Sequence, residues 1–284
     1  MPETLDSASS PSPSPSSPSS ASGRPERSGR PLVRRVVRIA ALLTGLTLVG
    51  GAAWYALLFL VTRTDTATEP IDPSVRSVEV DISSGDVEID VVGSGEKTEL
   101  HKELTKSLRS PDEDIERKGD SLSISADCGE GVGQCASDYR LTVPADTRVK
   151  VVSRMGDVSV KGVEGSVEGR TRVGSVDVRH VSGDRIVATS KTGDVTLKDV
   201  KFGTAEARSK LGGVRVEDIS PFEKVTAVSK MGDVELHLPS DAGPFDVNAE
   251  TRVGDRKVTV DQDSSSGAAV EARTKIGDVT IREG

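Results

Sequence analysis

From residue 145 onward, apolar and polar residues alternate in a unit that recurs seven times. Each unit centres on a glycine, usually followed by Asp and Val, as in SRMGDVSV (153–160) and TKIGDVTI (274–281). Residues seven, five, three and one positions before each glycine are small or apolar, with charged residues between them, so a period of two predicts β-strands with one inward face. The repeat glycines are Gly156, Gly174, Gly193, Gly212, Gly232, Gly254 and Gly277, with Gly85 in an outlying copy.

The repeat predicts a stacked, all-β architecture. Each unit reads as strand, glycine bend, short strand and loop, because a sharp corner favours a residue without a Cβ. One unit cannot bury its own apolar face, whereas units stacked about 4.8 Å apart bury a shared column of Val, Ala, Ser and Thr. We therefore expect a parallel β-helix or related β-solenoid, with an antiparallel sandwich as the alternative.

Residues 75–144 are less regular but belong to the same predicted domain, 75–284. Strand-like alternation surrounds the copy at Gly85 and recurs on both sides of the segment that contains the two cysteines. Leu100, Leu104 and Leu108 fit helical spacing within otherwise strand-like surroundings, which leaves helix and strand both open. The acidic residues 112–114 are typical of a solvated turn.

The N-terminal quarter predicts a membrane anchor. Residues 1–35 are rich in Ser and Pro and are expected to form a disordered cytoplasmic tail, either a spacer or a partner-binding segment. Residues 39–61 contain no charged side chain, and 23 residues at about 1.5 Å each suffice to cross a hydrocarbon core of about 30 Å. We expect a transmembrane helix over 36–62 and a linker over 63–74. A cleaved signal peptide is disfavoured because the apolar run is too long.

Charge predicts the orientation of this anchor. The first 38 residues carry six Arg and three carboxylates, which is a net charge of +3. Because the whole chain carries −8, the remaining residues carry −11. Since the positive flank stays in the cytoplasm, residues 62–284 are expected outside the cell, on a single-pass protein of the cell membrane. Cys128 and Cys135 enclose six residues and are disulfide candidates in that oxidising location.

Residues 74–284 resemble a bacterial family of adhesin-like domains with Gly-Asp-Val repeats. The resemblance rests on the opening VEVDISSGDVEID, the LTVPADTRVKV stretch and the serial Gly-Asp-Val copies. It implies a β-solenoid with a binding role of unknown chemistry and brings no catalytic residues. Arg256 in the Val position, and Ser175 and Gly213 in the Asp position, depart from the pattern.

Composition narrows the function classes. The acidic balance argues against nucleic acid as a partner, and two Cys with three His cannot supply the usual zinc ligand sets. The Asp residues after the glycines suggest a calcium ladder, but one carboxylate per coil favours charge balance by nearby Lys and Arg instead. Few aromatic residues are available to stack on sugars, so we expect no enzyme, no cofactor and no metal.

Two functions remain. The chain is expected to be a binding module for an envelope protein or glycan, anchored in the lipid bilayer by one helix. The alternative is a structural scaffold that self-associates end to end through the edges of the solenoid.

Overall fold

The computed structural model describes residues 30–60, 62–93, 96–131, 133–220 and 222–284. Helix α1 spans Arg30–Leu60, so it begins inside the segment expected to be a disordered tail; residues 1–29 of that tail lie outside the described residues. Pro31 lies in the first turn, where its missing N–H disrupts no helical hydrogen bond. Within the described residues, no helix is long and apolar enough to cross a membrane.

The rest of the described chain is β-structure. The strands are β1 (Arg63–Pro70), β2 (Ser77–Ile82), β3 (Val87–Val91), β4 (Glu99–Lys106), β5 (Asp112–Lys118), β6 (Ser121–Asp127), β7 (Cys135–Val143), β8 (Arg148–Met155), β9 (Val158–Lys161), β10 (Val167–Val173), β11 (Val176–Thr192), β12 (Val195–Leu211), β13 (Val214–Ile219), β14 (Lys224–Val228), β15 (Val234–Leu238), β16 (Asp246–Val253), β17 (Arg256–Val258), β18 (Ala269–Ile276) and β19 (Val279–Glu283).

These strands join in one curled sheet that contains two parallel runs. The first run holds the strands before the glycines, in the order β6, β2, β8, β10, β11, β12, β14, β18, β16. The second holds those after the glycines, in the order β7, β3, β9, β11, β12, β13, β15, β19, β17. Parallel pairing throughout both runs excludes the antiparallel sandwich.

The repeat glycines lie directly above one another where the two runs meet. Their φ angles lie between +128° and +145°, a region that residues with a Cβ rarely adopt. A Cβ on Gly193 would lie 2.1 Å from the carbonyl oxygen of Gly174 in the adjacent coil. Both the backbone conformation and the close approach of neighbouring coils therefore require glycine.

The order of coils in the stack differs from their order in the sequence at both ends. Gly277 packs against Gly232, and Gly254 packs against Gly277, so the last coil inserts between two earlier ones. At the other end, Gly85 lies between Ser137 and Gly156. Strands β16 and β17 consequently form one end of the stack, although they are not the last strands in sequence.

Antiparallel strands cover the opposite end. Strand β5 pairs with β6, β4 with β7, and β1 with β4. Residues 63–70 of the expected linker thus form a strand, because β4 would otherwise present an unpaired edge. Residues 112–114 belong to β5 rather than to a turn, and Leu100 and Leu104 lie on strand β4.

The core is a narrow column of Val, Ile, Leu and Ala between the two runs. Val195 and Leu197 are fully buried, whereas Thr196 between them is not, as the predicted alternation requires. The three phenylalanines of the sheet, Phe202, Phe222 and Phe245, stack with ring centroids 5.7 and 5.9 Å apart. These rings lie inside the protein, where they cannot stack on a sugar.

Candidate binding surface at the glycine corner

The edge where each coil turns at its repeat glycine, here called the glycine corner, is closed on its inner side by hydroxyl groups. Ser190, three residues before Gly193, is buried and donates a hydrogen bond of 2.8 Å to the carbonyl oxygen of Gly174 in the neighbouring coil. Five other coils repeat this bond with distances of 2.8–2.9 Å, through Thr171, Ser209, Ser229, Thr251 and Thr274. The hydroxyl therefore fills the inside of the turn, so no further side chain has room there.

The aspartates after the glycines hold the coils together through backbone hydrogen bonds. The Oδ1 atom of Asp194 accepts the backbone N–H of Gly213 at 2.7 Å, and Asp157 accepts that of Ser175 at the same distance. Equivalent bonds of 2.7–2.8 Å are made by Asp86, Asp138, Asp233 and Asp278. The expected charge balance by nearby Lys and Arg is wrong for these carboxylates, because they bind amides of the adjacent coil.

Large apolar side chains line the outside of the corner. The residue immediately before the glycine was expected to point inward, and this is wrong: Met155 is 58% exposed and Leu211 43% exposed. We call this set the apolar ridge. Its members, in stacking order, are Met155, Val173, Leu211, Met231, Ile276 and Val253, with Thr192 in the remaining coil between Val173 and Leu211.

The ridge has a physical cause and a sequence signal. Since the buried hydroxyl fills the corner, the strand alternation ends there and the next two side chains both face solvent. Four of the six ridge residues, Met155, Leu211, Met231 and Ile276, are also larger than the Val, Ala, Gly, Ser and Thr found at most of the inward positions before them. This difference in size, which alternation ignores, could have identified the ridge from the sequence.

A column of cations runs beside the ridge, one residue earlier in each coil. We call it the cationic column, and all seven members are exposed: Arg154, Arg172, Lys191, Lys210, Lys230, Lys275 and Arg252, in stacking order. Arg154 approaches Asp127 at 3.8 Å. None of the ion pairs among the described residues involves the other six.

Several cations on the flat faces of the sheet differ from the column in that they pair with carboxylates, although Arg148, Arg185 and Lys201 form no ion pair among the described residues. Lys161 lies 2.7 Å from Glu88, and Arg140 lies 2.8 Å from the same carboxylate. Hydrogen bonds from Lys161 and then Arg140 lower the pKa of Glu88. The hydrogen bond that Lys150 donates to Glu79 likewise raises the pKa of Lys150. These face cations are thus neutralised within the sheet, whereas six of the seven column cations form no ion pair among the described residues.

The remaining candidate residues do not belong to the ridge or the column. Cys128 and Cys135 are joined by a disulfide bond, with their Cα atoms 5.8 Å apart. The three histidines lie on three different strands. His101 contacts Thr68 at 3.0 Å, His180 lies 3.5 Å from Asp199, and His237 lies 2.9 Å from Glu235. Within the described part of the chain, no group of three or more His, Cys, Asp or Glu could hold a metal ion.

Three solved structures are similar to this chain over 78% of its length. A putative adhesin from Bacteroides fragilis is 18% identical, with a TM-score of 0.48, over 78% of this chain and 97% of that one. A putative adhesin from Parabacteroides distasonis is 15% identical, with a TM-score of 0.39, over 78% and 97%. A putative cell adhesion protein from Clostridium sporogenes is 12% identical, with a TM-score of 0.35, over 78% and 100%.

Among curated proteins, none matches this chain significantly. The profile of the Toastrack DUF4097 family matches residues 75–283, which is most of the chain and nearly all of its β-structure. The chain therefore belongs to the Toastrack DUF4097 family.

Proposed function

We propose that this protein is an adhesin-like binding module, displayed outside the cell by a membrane anchor, and that it acts without catalysis. The observation that carries the proposal is the apolar ridge beside the cationic column. Exposed apolar side chains that form a contiguous patch mark interaction surfaces, whereas isolated ones do not. Here the backbone register places six large apolar side chains in neighbouring or nearly neighbouring coils on one edge.

The stack in this proposal is a β-solenoid whose coils present the same edge repeatedly. A partner that extends along the stack would contact several equivalent positions at once. Because each contact is small, binding would depend on the number of coils engaged, which is how solenoid surfaces recognise extended partners.

Anchoring and orientation are proposed from the sequence of the N-terminal segment. The uncharged run 39–61 has the length of a bilayer span, whereas no helix of the described residues reaches the length and hydropathy of one. The Arg residues before this run would remain in the cytoplasm. The β-structure would then lie in an oxidising compartment, consistent with the disulfide between Cys128 and Cys135.

Binding by the ridge can be tested with the full chain purified in neutral detergent. We expect wild-type protein to co-sediment with isolated cell-envelope material and Leu211→Ser/Met231→Ser to lose most of that binding. Leu108→Ser is the matched control, because Leu108 is 55% exposed and does not belong to the ridge. Unchanged co-sedimentation of the ridge variant would refute the proposal.

Orientation can be tested on intact cells that carry tags at both termini. External protease should remove the C-terminal tag and spare the N-terminal tag. Protection of the C-terminal tag, with cleavage only after lysis, would reverse the assignment.

A structural scaffold is the second candidate, and the open end of the stack favours it. Within the described residues, strand β16 pairs along one side only, with β18, and β17 likewise pairs only with β19. Such edges can accept a strand from another copy. Concentration-dependent polymers of the full chain, seen by light scattering and abolished by Asn248→Pro, would support this function.

A further inference from the structure

We propose that the partner of the glycine corner is a linear acidic polysaccharide that lies along the cationic column with its sugar rings against the apolar ridge. This inference rests on the proposed binding function and specifies its partner. It follows from three features of the corner: the spacing of its cations, their lack of carboxylate partners, and the apolar surface beside them.

The spacing of the column suits a polymer with regularly repeated charge. The register places Arg172 beside Lys191 and Lys275 beside Arg252, and the remaining members follow the same neighbour pattern. Coils about 4.8 Å apart place the first and last of seven cations about 29 Å from each other. A polymer with one carboxylate on each sugar also repeats its charge at every ring along its length.

The missing carboxylate partners favour an anionic ligand. Like charges on adjacent strands repel each other, and elsewhere in the sheet pairs such as Lys150–Glu79, 2.6 Å apart, relieve this repulsion. Six of the seven column cations have no such pair among the described residues. A bound polyanion would neutralise the whole line of cations. Binding would then relieve the repulsion between them, which favours the complex over the free protein.

The ridge and the aspartates favour a polysaccharide over a nucleic acid or an anionic membrane. Sugar rings have an apolar C–H face that can pack on Met231 or Leu211, whereas nucleic-acid bases bind by stacking on aromatic rings, and none of the ridge residues is aromatic. Asp194 and Asp233 lie exposed on the other side of the ridge from the column. A flat anionic membrane would meet both sides of the ridge and be repelled by these aspartates, while a single polymer chain can lie on the cationic side alone.

The experiment compares polygalacturonate with its neutral methyl ester, which has the same backbone without the charge. The full chain in neutral detergent is immobilised, and the two polymers are applied over a range of salt concentrations. We expect polygalacturonate to bind and the ester to bind at least tenfold more weakly. Raising the salt concentration should weaken polygalacturonate binding, because exposed charges are screened.

Two matched triple variants locate the binding site. Lys191→Gln/Lys210→Gln/Lys230→Gln removes three charges from the column and should weaken polygalacturonate binding at least tenfold. The control, Arg148→Gln/Arg185→Gln/Lys201→Gln, removes three exposed charges that have no ion pair in the described structure and lie outside the column. We expect this control to change binding less than twofold. Circular dichroism melting curves of both variants establish that they are folded.

Four results of these binding measurements would overturn the inference: equal binding of both polymers, equal loss in both triple variants, tighter binding to inorganic polyphosphate, or tighter binding to phosphatidylglycerol vesicles. The proposed function fails separately. It is refuted if Leu211→Ser/Met231→Ser still binds envelope material as wild type does. If envelope binding is lost in this ridge variant but kept in the column variant, the binding function stands and only the acidic polysaccharide is refuted.

Discussion

The flat faces of the sheet and the glycine corner are built from the same repeats but treat charge in opposite ways. On the faces, Lys161 and Arg140 share the carboxylate of Glu88 at 2.7 and 2.8 Å. At the corner, six of the seven cations stand in line without an ion pair among the described residues, and the nearby aspartates bind backbone amides. These face cations are neutralised within the sheet, whereas the corner exposes a continuous line of cations beside apolar side chains, which is a surface that an external partner could bind.

This difference follows from local geometry. On the faces, side chains from adjacent coils meet at fixed register, so opposite charges can be placed side by side. At the corner, the backbone turns through a glycine with φ near +136°, and the carboxylate that follows is drawn to the amide of the next coil. The cation two residues before the glycine is left facing solvent.

The largest expected effect tests the core that both regions share. Val195 is fully buried, so Val195→Asp places an unpaired charge in the apolar core and should reduce the free energy of unfolding by about 4 kcal/mol or prevent folding. Thr196→Asp, one residue away on the outer face, should change it by less than about 1 kcal/mol. Chemical denaturation of the two variants measures the difference, and equal stability would show that the assigned inward face is wrong.

The corner itself is tested by adding one methyl group. Gly193→Ala would bring a Cβ to about 2 Å from the carbonyl oxygen of Gly174, at a φ of +136°, and should destabilise the protein by about 3 kcal/mol. Gly267→Ala is the control, because nothing lies within 4 Å of the added Cβ. A melting temperature of Gly193→Ala equal to that of the control would contradict the close stacking of the corner.

Substitutions of Asp194 at the corner distinguish the contribution of its hydrogen bond to stability from that of its charge. Asp194→Asn keeps an oxygen that can accept the backbone N–H of Gly213 and should be nearly neutral. Asp194→Ala leaves that amide without its partner and should reduce the free energy of unfolding by about 1 kcal/mol. Denaturation curves that show the Asn variant to be as destabilised as the Ala variant would mean that the charge, not the hydrogen bond, matters.

The smallest effect concerns a face carboxylate. Because Lys161 and Arg140 lower the pKa of Glu88, this group stabilises the fold above its unfolded pKa, and the contribution is lost as the pH falls through the folded value. At pH 7, Glu88→Gln should reduce the free energy of unfolding by less than about 1 kcal/mol, since the pairs are partly exposed. Urea denaturation at pH 3 should show a smaller difference between variant and wild type, and a larger one would reverse the sign of this coupling.

Local patterns in the sequence account for the strands, the glycine turns and the inward face. Val195 and Gly193 occupy the expected positions because alternation and backbone freedom depend only on neighbouring residues. The ridge was not predictable from alternation alone, because Met231 is turned outward by a hydroxyl that fills the corner. The order of the coils was not predictable either, since it depends on which distant coil Gly277 stacks against.

The pairing of β1 with β4 shows the same limit. Arg63 lies opposite Lys106, and nothing near residues 63–70 in the sequence indicates an edge 40 residues away that needs a partner. At the candidate site, the cationic residues could be found from the repeat. Their lack of ion pairs could not, because it depends on which side chains the coil order brings together.

Oxidation of the two ridge methionines tests most directly whether the glycine corner is the binding surface. Met155 and Met231 are 58% and 48% exposed, so dilute peroxide should convert both to sulfoxides in the free full-length protein. With saturating cell-envelope material, mass spectrometry should show both rates falling several-fold relative to free N-acetylmethionine, which is added to calibrate the oxidant. Envelope material that binds while Met155 and Met231 oxidise at their free rates would place the partner elsewhere and contradict the account.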